Sequence, residues 1–480
     1  MKLSRRAFSR YLATAATAPL LRPFADSQAR NTPWHESIAE HARTMAHTGD
    51  LRLLIPEGSA ANISAATREF TRLSGVGCVI SEVPVDEINV ELILRANTED
   101  ATIDVALPAT FGLPDLIKAN AIVPLDEFAT RYEPDDFSDG YLYRVGDHYN
   151  GKLYGYQTDG DVYMLFYNKR MLEDAREQQA YEQLTGRTLQ PANSWEELDH
   201  MMAFFHRPDD QQYGGCLFRN AGYLVWEWWA RFHAKGYLPL SDKALPNINN
   251  AAGVAVLEEM IAATEFQSPA SRTNGLFDNW KDFANDNVFC NIGWGGTQKY
   301  LMGQPSMRDN LVHTALPGIR GGDESERMGY FNWGWNYTVS SQSTRKELGY
   351  LLALFCTSPA VSTLAVREPE GYFDPFRQRH YEDTDIEKVY GRSFLNAHKD
   401  SMRNSIPDFY LSGQSNYLDT MRQQILAAMA GSVTSQQALD ACAQQWTHIT
   451  RRLGTRQQRE RWSQLQDSYP EKIRALLKAE

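Results

Sequence analysis

Apolar blocks and blocks with helical spacing alternate along the first part of the chain. The apolar runs at 51–56, 78–84 and 103–107 each end at a proline or a turn and predict strands. Between them, the stretches at 60–73 and 88–96 carry apolar residues three and four positions apart and predict helices. Strands that alternate with helices predict an α/β fold with a parallel sheet covered on both faces.

The pattern continues with a helix at 113–120 and with a pair of strands at 151–169, broken at Asp159. Ligands of open parallel sheets bind at the carboxyl ends of the strands. Here those ends are the turns that contain Ser59 and Thr110, which become candidate binding residues.

The N-terminal segment has the features of an export signal. Arg5 and Arg6 precede a mildly apolar run at 13–21, and small residues follow at 27–29. The run is too short and too rich in Ala and Thr to span a bilayer, so residues 1–29 are predicted to be a cleaved signal peptide. The paired arginines resemble a twin-arginine signal, whose system exports folded proteins. We expect a periplasmic protein; the alternative is a basic amphipathic helix that is retained.

Charge and cysteine content exclude several classes of partner. The chain has 60 acidic and 48 basic residues, a formal net charge of −12, which disfavours nucleic acid and anionic membranes as partners. The five cysteines are scattered and lack CxxC spacing, which argues against a disulfide scaffold and against a structural zinc site. At most two bridges can form, and we expect neither a metal nor a cofactor.

Catalytic motifs do not occur in the sequence. It contains no HExxH, no GxSxG and no phosphate loop, and its eleven histidines show no ligand spacing, so no catalytic residue is assigned. The enzyme alternative is a secreted carbohydrate-active hydrolase that uses Asp159 or Asp161 with a distant Glu.

Eight short segments, in this order, resemble landmarks of one protein family. They are NAIVPLDE (120–127), GKLYG (151–155), YNK (167–169), SWEEL (194–198), FANDNVFCNI (283–292), LPG (316–318), TSP (357–359) and SQQALD (435–440). Together they resemble the extracellular solute-binding proteins of family 1, which are the receptors of ABC importers for sugars and polyols. The resemblance extends over nearly the whole chain after the signal.

The resemblance implies a periplasmic-binding-protein-like type II fold, with two lobes and a ligand cleft between them. Lobe 1 would hold residues 50–158 and 337–400, and lobe 2 would hold 161–331 and 401–480. The chain would cross between lobes near 158–161, near 331–337 and around residue 400. The implied partners are a carbohydrate or polyol ligand and an inner-membrane ABC permease, with a monomeric receptor that closes by a hinge motion. A receptor that feeds a sensor shares the same features.

The aromatic content fits such a ligand. The chain has 11 Trp, 23 Tyr and 21 Phe, and sugars present apolar faces to flat rings and hydroxyl rims to polar groups. Trp294 lies between glycines, and Trp333 and Trp335 alternate on a predicted crossover, so their rings would face one side. For any one Trp, packing in the core is the alternative.

Polar candidates complete the predicted site. Asp159 and Asp161 are two apart on an extended segment, so both carboxylates would point to one face and bind hydroxyls; a turn with a solvated acid is the alternative. Arg219 and Arg377 could instead be structural ion-pair partners. The candidate ligand-binding residues are Ser59, Thr110, Asp159, Asp161, Arg219, Trp226, Trp294, Gly295, Trp333, Trp335, Asn336, Tyr372 and Arg377.

Overall fold

The computed structural model of the protein describes residues 33–319 and 326–477. The predicted signal peptide at 1–29 lies outside the described residues. The strands are β1 (Leu51–Pro56), β2 (Cys78–Val83), β3 (Val105–Ala106), β4 (His148–Tyr149), β5 (Lys152–Leu153), β6 (Gly155–Gln157), β7 (Val162–Asn168), β8 (Tyr213–Gly215), β9 (Val288–Gly293), β10 (Leu311–Ala315), β11 (Gly329–Phe331), β12 (Asn336–Val339) and β13 (Ser405–Pro407).

The α-helices connect these strands and cover the sheets. They are α1 (Trp34–Arg43), α2 (Ala60–Ser74), α3 (Ile88–Asn97), α4 (Leu113–Lys118), α5 (Asp126–Tyr132), α6 (Lys169–Glu173), α7 (Ala175–Thr185), α8 (Trp195–Phe205), α9 (Leu224–Ala234), α10 (Ala251–Ala263), α11 (Leu276–Phe283), α12 (Gly295–Met302), α13 (Lys346–Thr357), α14 (Pro359–Arg367), α15 (Thr384–Tyr390), α16 (Arg392–Arg403), α17 (Gln414–Met429), α18 (Ser435–Leu453), α19 (Thr455–Asp467) and α20 (Glu471–Leu476).

The first lobe is built on a five-stranded sheet in the order β2-β1-β3-β12-β6. β1 pairs in parallel with β2 and β3, which confirms the parallel sheet predicted for this part of the chain. β12 comes from much later in the sequence and pairs antiparallel with β3 and β6. α13 packs on β3, β6 and β12, and α1 and α2 pack on α13.

The second lobe is built on a sheet in the order β13-β11-β7-β9-β8, with β10 also paired to β7. All seven residues of β7 are buried, as its continuous run of apolar and aromatic residues requires of a central strand. α8 packs on β8 and β9. Ser194 caps α8, since its Oγ accepts the N–H of Glu197 at 3.1 Å.

The chain crosses between the sheets where the sequence breaks its strand patterns. β6 belongs to the first sheet and β7 to the second, so the break predicted at Asp159 is a crossing. A second crossing lies between β11 and β12. The third lies earlier than the predicted position around residue 400, because α16 already packs on β7, β10 and β11 of the second lobe. Its buried residues follow a helical spacing that does not tell which sheet they face.

Among residues 33–319 and 326–477, no single helix is long and apolar enough to cross a membrane. α13 and α14 together pass a test of length and composition, but they are bent by 67° at their junction.

Candidate functional site

A cavity of about 20 Å³ lies between the two lobes at the crossings. Four tryptophans, two tyrosines, a leucine, a glycine and one carboxylic acid form its wall. They are Asp161, Tyr223, Leu276, Trp280, Trp294, Gly296, Trp333, Trp335 and Tyr372. The predicted residues Asp161, Trp294, Trp333, Trp335 and Tyr372 are thus brought together, and the cavity is the candidate binding site.

Trp294 is held where β9 ends and α12 begins. Its ring stacks on Tyr163 with 4.8 Å between centroids, and its Nε1 donates to Asn332 Oδ1 at 3.0 Å. Only 4% of the residue is exposed, so the ring is both part of the lobe's core and part of the cavity wall. The structure thus shows the core packing of Trp294, and its contact with a ligand stays a prediction.

The start of α12 comes unusually close to the other wall of the cavity. A Cβ at Gly296 would lie 2.9 Å from Tyr372 Cβ and 3.2 Å from the Trp280 ring, so only glycine fits without a shift. Gly295 packs directly against the Asp374 carboxylate. Two successive glycines thus let the helix approach groups from across the cleft.

Trp333 and Trp335 lie on the crossing between β11 and β12, on either side of Gly334. Both line the cavity, and their ring centroids are 6.1 Å apart in an edge-to-face arrangement. Trp333 also packs edge-on against Trp226 at 5.1 Å. Trp226 donates its Nε1 to Asp408 Oδ2 at 3.1 Å and so supports Trp333 from behind.

Tyr372 connects the cavity to the first lobe. Its hydroxyl donates to the carbonyl of Glu57 at 3.1 Å, and its backbone N–H donates to Asn62 Oδ1 at 2.9 Å. Glu57 follows β1 and Asn62 lies in the first turn of α2, at the carboxyl end of the sheet where the sequence predicted a ligand site. Ser59 is buried behind this turn, and its Oγ donates to Pro56 O at 2.7 Å.

Three buried carboxylic acids meet beside the cavity. One carboxylate oxygen from each of Asp159, Asp161 and Asp374 lies within 4.8 Å of the other two, close enough for one cation to bind between them. Asp159 Oδ1 accepts the backbone N–H of Asp374 at 2.6 Å, and Asp161 Oδ2 accepts that of Gly334 at 3.2 Å. The predicted pair Asp159 and Asp161 does share a face, and the third acid comes from the loop after α14.

The electrostatics of this acidic cluster, Asp159, Asp161 and Asp374, favour protonated forms. Burial, followed by the charges of the neighbouring acids, raises the pKa of Asp159 and of Asp161 well above the ordinary range. Burial raises the pKa of Asp374 to about 6, although Lys299 and the Tyr390 hydroxyl oppose the rise. Three carboxylates this close repel one another, so the cluster holds protons at neutral pH.

Lys299 on α12 is the cation nearest to the cluster. Burial lowers its pKa to about 8, and the charges of Asp374 and Asp159 act in the opposite direction. Its Nζ donates to the carbonyl of Glu368 at 2.9 Å.

Two predicted binding residues, both arginines, lie outside the cavity wall. The Arg219 guanidinium is buried and pairs with Glu227, with Nη2 at 3.0 Å from Oε1, while its Nε donates to Thr264 Oγ1 at 2.8 Å. Arg377 donates to the carbonyls of Phe137 and Thr357 at 3.1 and 3.0 Å. At these positions both arginines join separate segments of the chain.

Thr110 and Asn336 form a polar network of their own. Thr110 Oγ1 donates to Asn336 Oδ1 at 2.6 Å, and Asn336 Nδ2 donates to Asp147 Oδ1 at 2.7 Å. Both residues are buried, so they brace the crossing and lie outside the cavity wall.

Sequence reasoning missed Tyr223, Leu276, Trp280, Gly296, Asp374 and Lys299. Asp374 lies two residues after the predicted Tyr372 in a loop rich in aromatic and charged residues, and that position could have drawn attention to it. Trp280 lies on an ordinary amphipathic helix, α11, and nothing in the sequence distinguishes it.

A second, larger groove of about 490 Å³ lies between α4 and α19. Its wall is mainly polar and includes Lys118, Glu460 and Arg461. It lacks the aromatic surface and the buried acid that distinguish the first cavity.

Comparison with known proteins places these features in a family. The family model described as bacterial extracellular solute-binding protein matches residues 65–389. A comparison with curated protein sequences gave no match. Several solved structures are similar over most of the chain, with TM-scores near 0.7 and low sequence identity.

Maltose-bound MalE3 of T. maritima has a TM-score of 0.71 at 15% identity, over 83% of this chain and 100% of that chain. A solute-binding protein of Agrobacterium vitis S4 with bound D-mannitol has a TM-score of 0.69 at 17% identity, over 85% and 99%. One of Agrobacterium radiobacter K84 in complex with ribitol has a TM-score of 0.70 at 15% identity, over 84% and 98%. At these identities the likeness shows the fold, which confirms the predicted two-lobed α/β architecture.

Proposed function

The chain belongs to the bacterial extracellular solute-binding proteins, and from that premise we propose that it is the receptor of an ABC importer for a sugar or polyol. The receptor captures its ligand in the cavity between the lobes and delivers it to an inner-membrane permease. The observation that carries this proposal is the aromatic wall at the lobe crossings, which includes Trp294, Trp333 and Trp335.

The chemistry of the wall suits a ligand that has both an apolar face and hydroxyl groups. Aromatic rings bind the C–H faces of a sugar, and a carboxylate accepts hydrogen bonds from vicinal hydroxyls. The structural relatives described above carry maltose, D-mannitol and ribitol, which are compounds of this class.

The cavity is nearly shut in this arrangement of the lobes. Its volume of about 20 Å³ holds about one water molecule, whereas pockets that bind small ligands measure about 300–1,000 Å³. The lobes must therefore open before a sugar or polyol can enter.

Hinge closure is expected because the residues of the cavity wall come from both lobes. Trp294 and Gly296 belong to the second lobe, Tyr372 is bonded to the first, and Asp161 lies on a crossing. A ligand that contacts all of them binds more tightly to the closed arrangement and shifts the population toward it.

Export to the periplasm is part of the proposal. The paired Arg5 and Arg6 at the start of the chain support the twin-arginine route. Substitution of both by Lys is expected to retain the protein in the cytoplasm, as measured by cell fractionation. Export at the level of the unsubstituted protein would contradict the twin-arginine route and leave the receptor role standing.

A hydrolase fits the geometry less well than a receptor does. Glycosidases hold their two catalytic carboxyl groups about 5–9.5 Å apart, on either side of the scissile bond. Asp161 is the only acid among the nine residues that form the cavity wall, so no second carboxyl group faces it across the cavity. We propose that the protein is not an enzyme, and we expect a bound sugar to be recovered unchanged after long incubation.

The test is a thermal-shift screen of monosaccharides, disaccharides and polyols, followed by calorimetric titration of the compounds that raise Tm. The proposal predicts a rise in Tm for one or a few monosaccharides or polyols, because a ligand that binds only the folded protein stabilises it. Binding of amino acids or peptides, with silence across the sugar and polyol panel, would refute it.

A further inference from the structure

Three buried carboxylic acids, Asp159, Asp161 and Asp374, face one buried ammonium group, that of Lys299. The charges around the cavity therefore balance only when two of the acids hold protons, in line with the raised pKa of Asp159 and of Asp161. A second positive group beside Asp161 would let one of these protons leave, because a buried carboxylate is costly unless a positive group pairs with it.

Two oxygens of the cluster have no hydrogen-bond partner. Asp159 Oδ2 and Asp374 Oδ2 are buried and neither accept nor donate a hydrogen bond. Both residues are fully buried, so bulk water does not compensate for the missing partners. Once a proton leaves, the cluster can accept donors from a group that enters beside Asp161.

The rest of the cavity wall strengthens the preference for a cation. Asp161 is its only acidic residue, and six of its nine residues are aromatic, including Trp280, Trp294, Trp333 and Trp335. The faces of aromatic rings attract cations, and this attraction grows where water is excluded. A purely neutral polyol needs several planar hydrogen-bonding groups on its rim, and the wall provides few of them.

We propose that the ligand of this receptor is a hydroxylated solute that carries a protonated amine, such as an amino sugar or an amino polyol. The proposal rests on the proposed function and narrows its ligand class. The ammonium group lies against Asp161 and the acidic cluster, while the hydroxylated body stacks on the tryptophans.

The test compares matched pairs that differ by one amine. D-glucosamine is titrated against D-glucose, and 1-amino-1-deoxy-D-glucitol against D-glucitol, by calorimetry at neutral pH. The amine of at least one pair is expected to bind about tenfold or more tightly than its neutral partner, since charge-assisted hydrogen bonds and cation–π contacts add to the shared stacking.

Two variants assign the preference to the cluster. Asp161→Asn is expected to reduce the ratio of the affinity for the amine to the affinity for its neutral partner to about one. Asp199→Asn is the matched control, because Asp199 is also an acid with a raised pKa but pairs with Arg231 outside the cavity wall, and it should keep the ratio. Melting curves of both variants without ligand check that each is folded. If either is not folded, the affinity ratio measured on the wild-type protein tests the proposal by itself.

A second readout follows the proton. An ammonium that binds at Asp161 displaces a proton from the acidic cluster, so protons are released to the buffer on binding of the amine and not of the neutral compound. The titratable groups that face Asp161 and Asp374 are Asp159, Lys299, Tyr223, Tyr372 and Tyr390. Titration in two buffers of different ionisation enthalpy measures the release.

The outcomes separate the inference from the proposed function. Equal or tighter binding of the neutral partners refutes the inference and leaves the sugar and polyol receptor standing. A rise in Tm with Ca²⁺ that is lost in Asp161→Asn, without any preference for amines, assigns the cluster to a metal ion and also refutes the inference. Failure of every hydroxylated compound, charged or neutral, refutes both.

Discussion

Removal of the Trp294 ring is expected to weaken both the fold and ligand binding. With 4% of the residue exposed, truncation to Ala removes about 150–250 Å² of buried surface, which at ~25 cal/mol per Å² corresponds to about 4–6 kcal/mol. Partial collapse of the site brings the expected loss of unfolding free energy to about 3–5 kcal/mol. The lost stack on the ligand should also raise Kd about tenfold.

A matched variant separates the two effects. Trp228 is as deeply buried and stacks on Phe232 at 4.8 Å, but it lies outside the cavity wall. Trp228→Ala is expected to lose comparable stability and to keep the wild-type Kd. Urea unfolding without ligand and calorimetric titration with the best compound of the screen measure both quantities for Trp294→Ala and Trp228→Ala. The milder pair Trp294→Phe and Trp228→Phe serves if either Ala variant does not fold. An unchanged Kd in the Trp294 variants, or the same change in both pairs, would refute the assignment of Trp294 to the site.

Three further predictions test other parts of the account. Gly296→Ala places a methyl group 2.9 Å from Tyr372 Cβ, so it should hinder closure and raise Kd about tenfold with little change in the stability of the open form; an unchanged Kd in calorimetry would contradict this. Arg219→Ala leaves Glu227 with Arg231 as its one remaining ion-pair partner. The free energy of unfolding measured in urea should decrease by about 3 kcal/mol, and Kd should not change. A loss of ligand affinity would indicate that Arg219 contributes to binding. Burial lowers the pKa of His398 to about 3, whereas an unfolded histidine has a pKa of about 6.5. Between these two pH values the unfolded chain binds a proton that the folded chain does not. The free energy of unfolding therefore decreases by about 1.4 kcal/mol for each pH unit by which the pH is lowered. In His398→Gln the free energy of unfolding should lose this part of its pH dependence. An unaltered pH dependence would contradict the role of His398.

The sequence was sufficient for the parts of the fold that local pattern determines. β1, α2, β2 and α3 lie close to their predicted positions, because their apolar spacing is strong and their ends carry turn residues. The break at Asp159 located the first crossing for the same reason. The third crossing was misplaced because α16 is amphipathic in the same way whichever sheet it covers, and only tertiary packing decides between them.

The candidate site was predictable only where composition singles out a residue. Trp294, Trp333 and Trp335 stand next to glycines on strand ends or crossings, and the structure brings them to one cavity. Trp280 and Asp374 reach the same cavity from distant segments, and no local pattern links them to it. Arg219 has the residue type of a ligand-binding group, yet a buried partner eight positions away occupies its donors.

A crystal structure of the protein with the tightest ligand of the screen tests the central claim most directly. The account predicts electron density for that ligand between the lobes, in contact with Trp294, Trp333 and Trp335 and with a polar group of the ligand at Asp161. Density in the polar groove between α4 and α19, with the aromatic cavity empty, would contradict it.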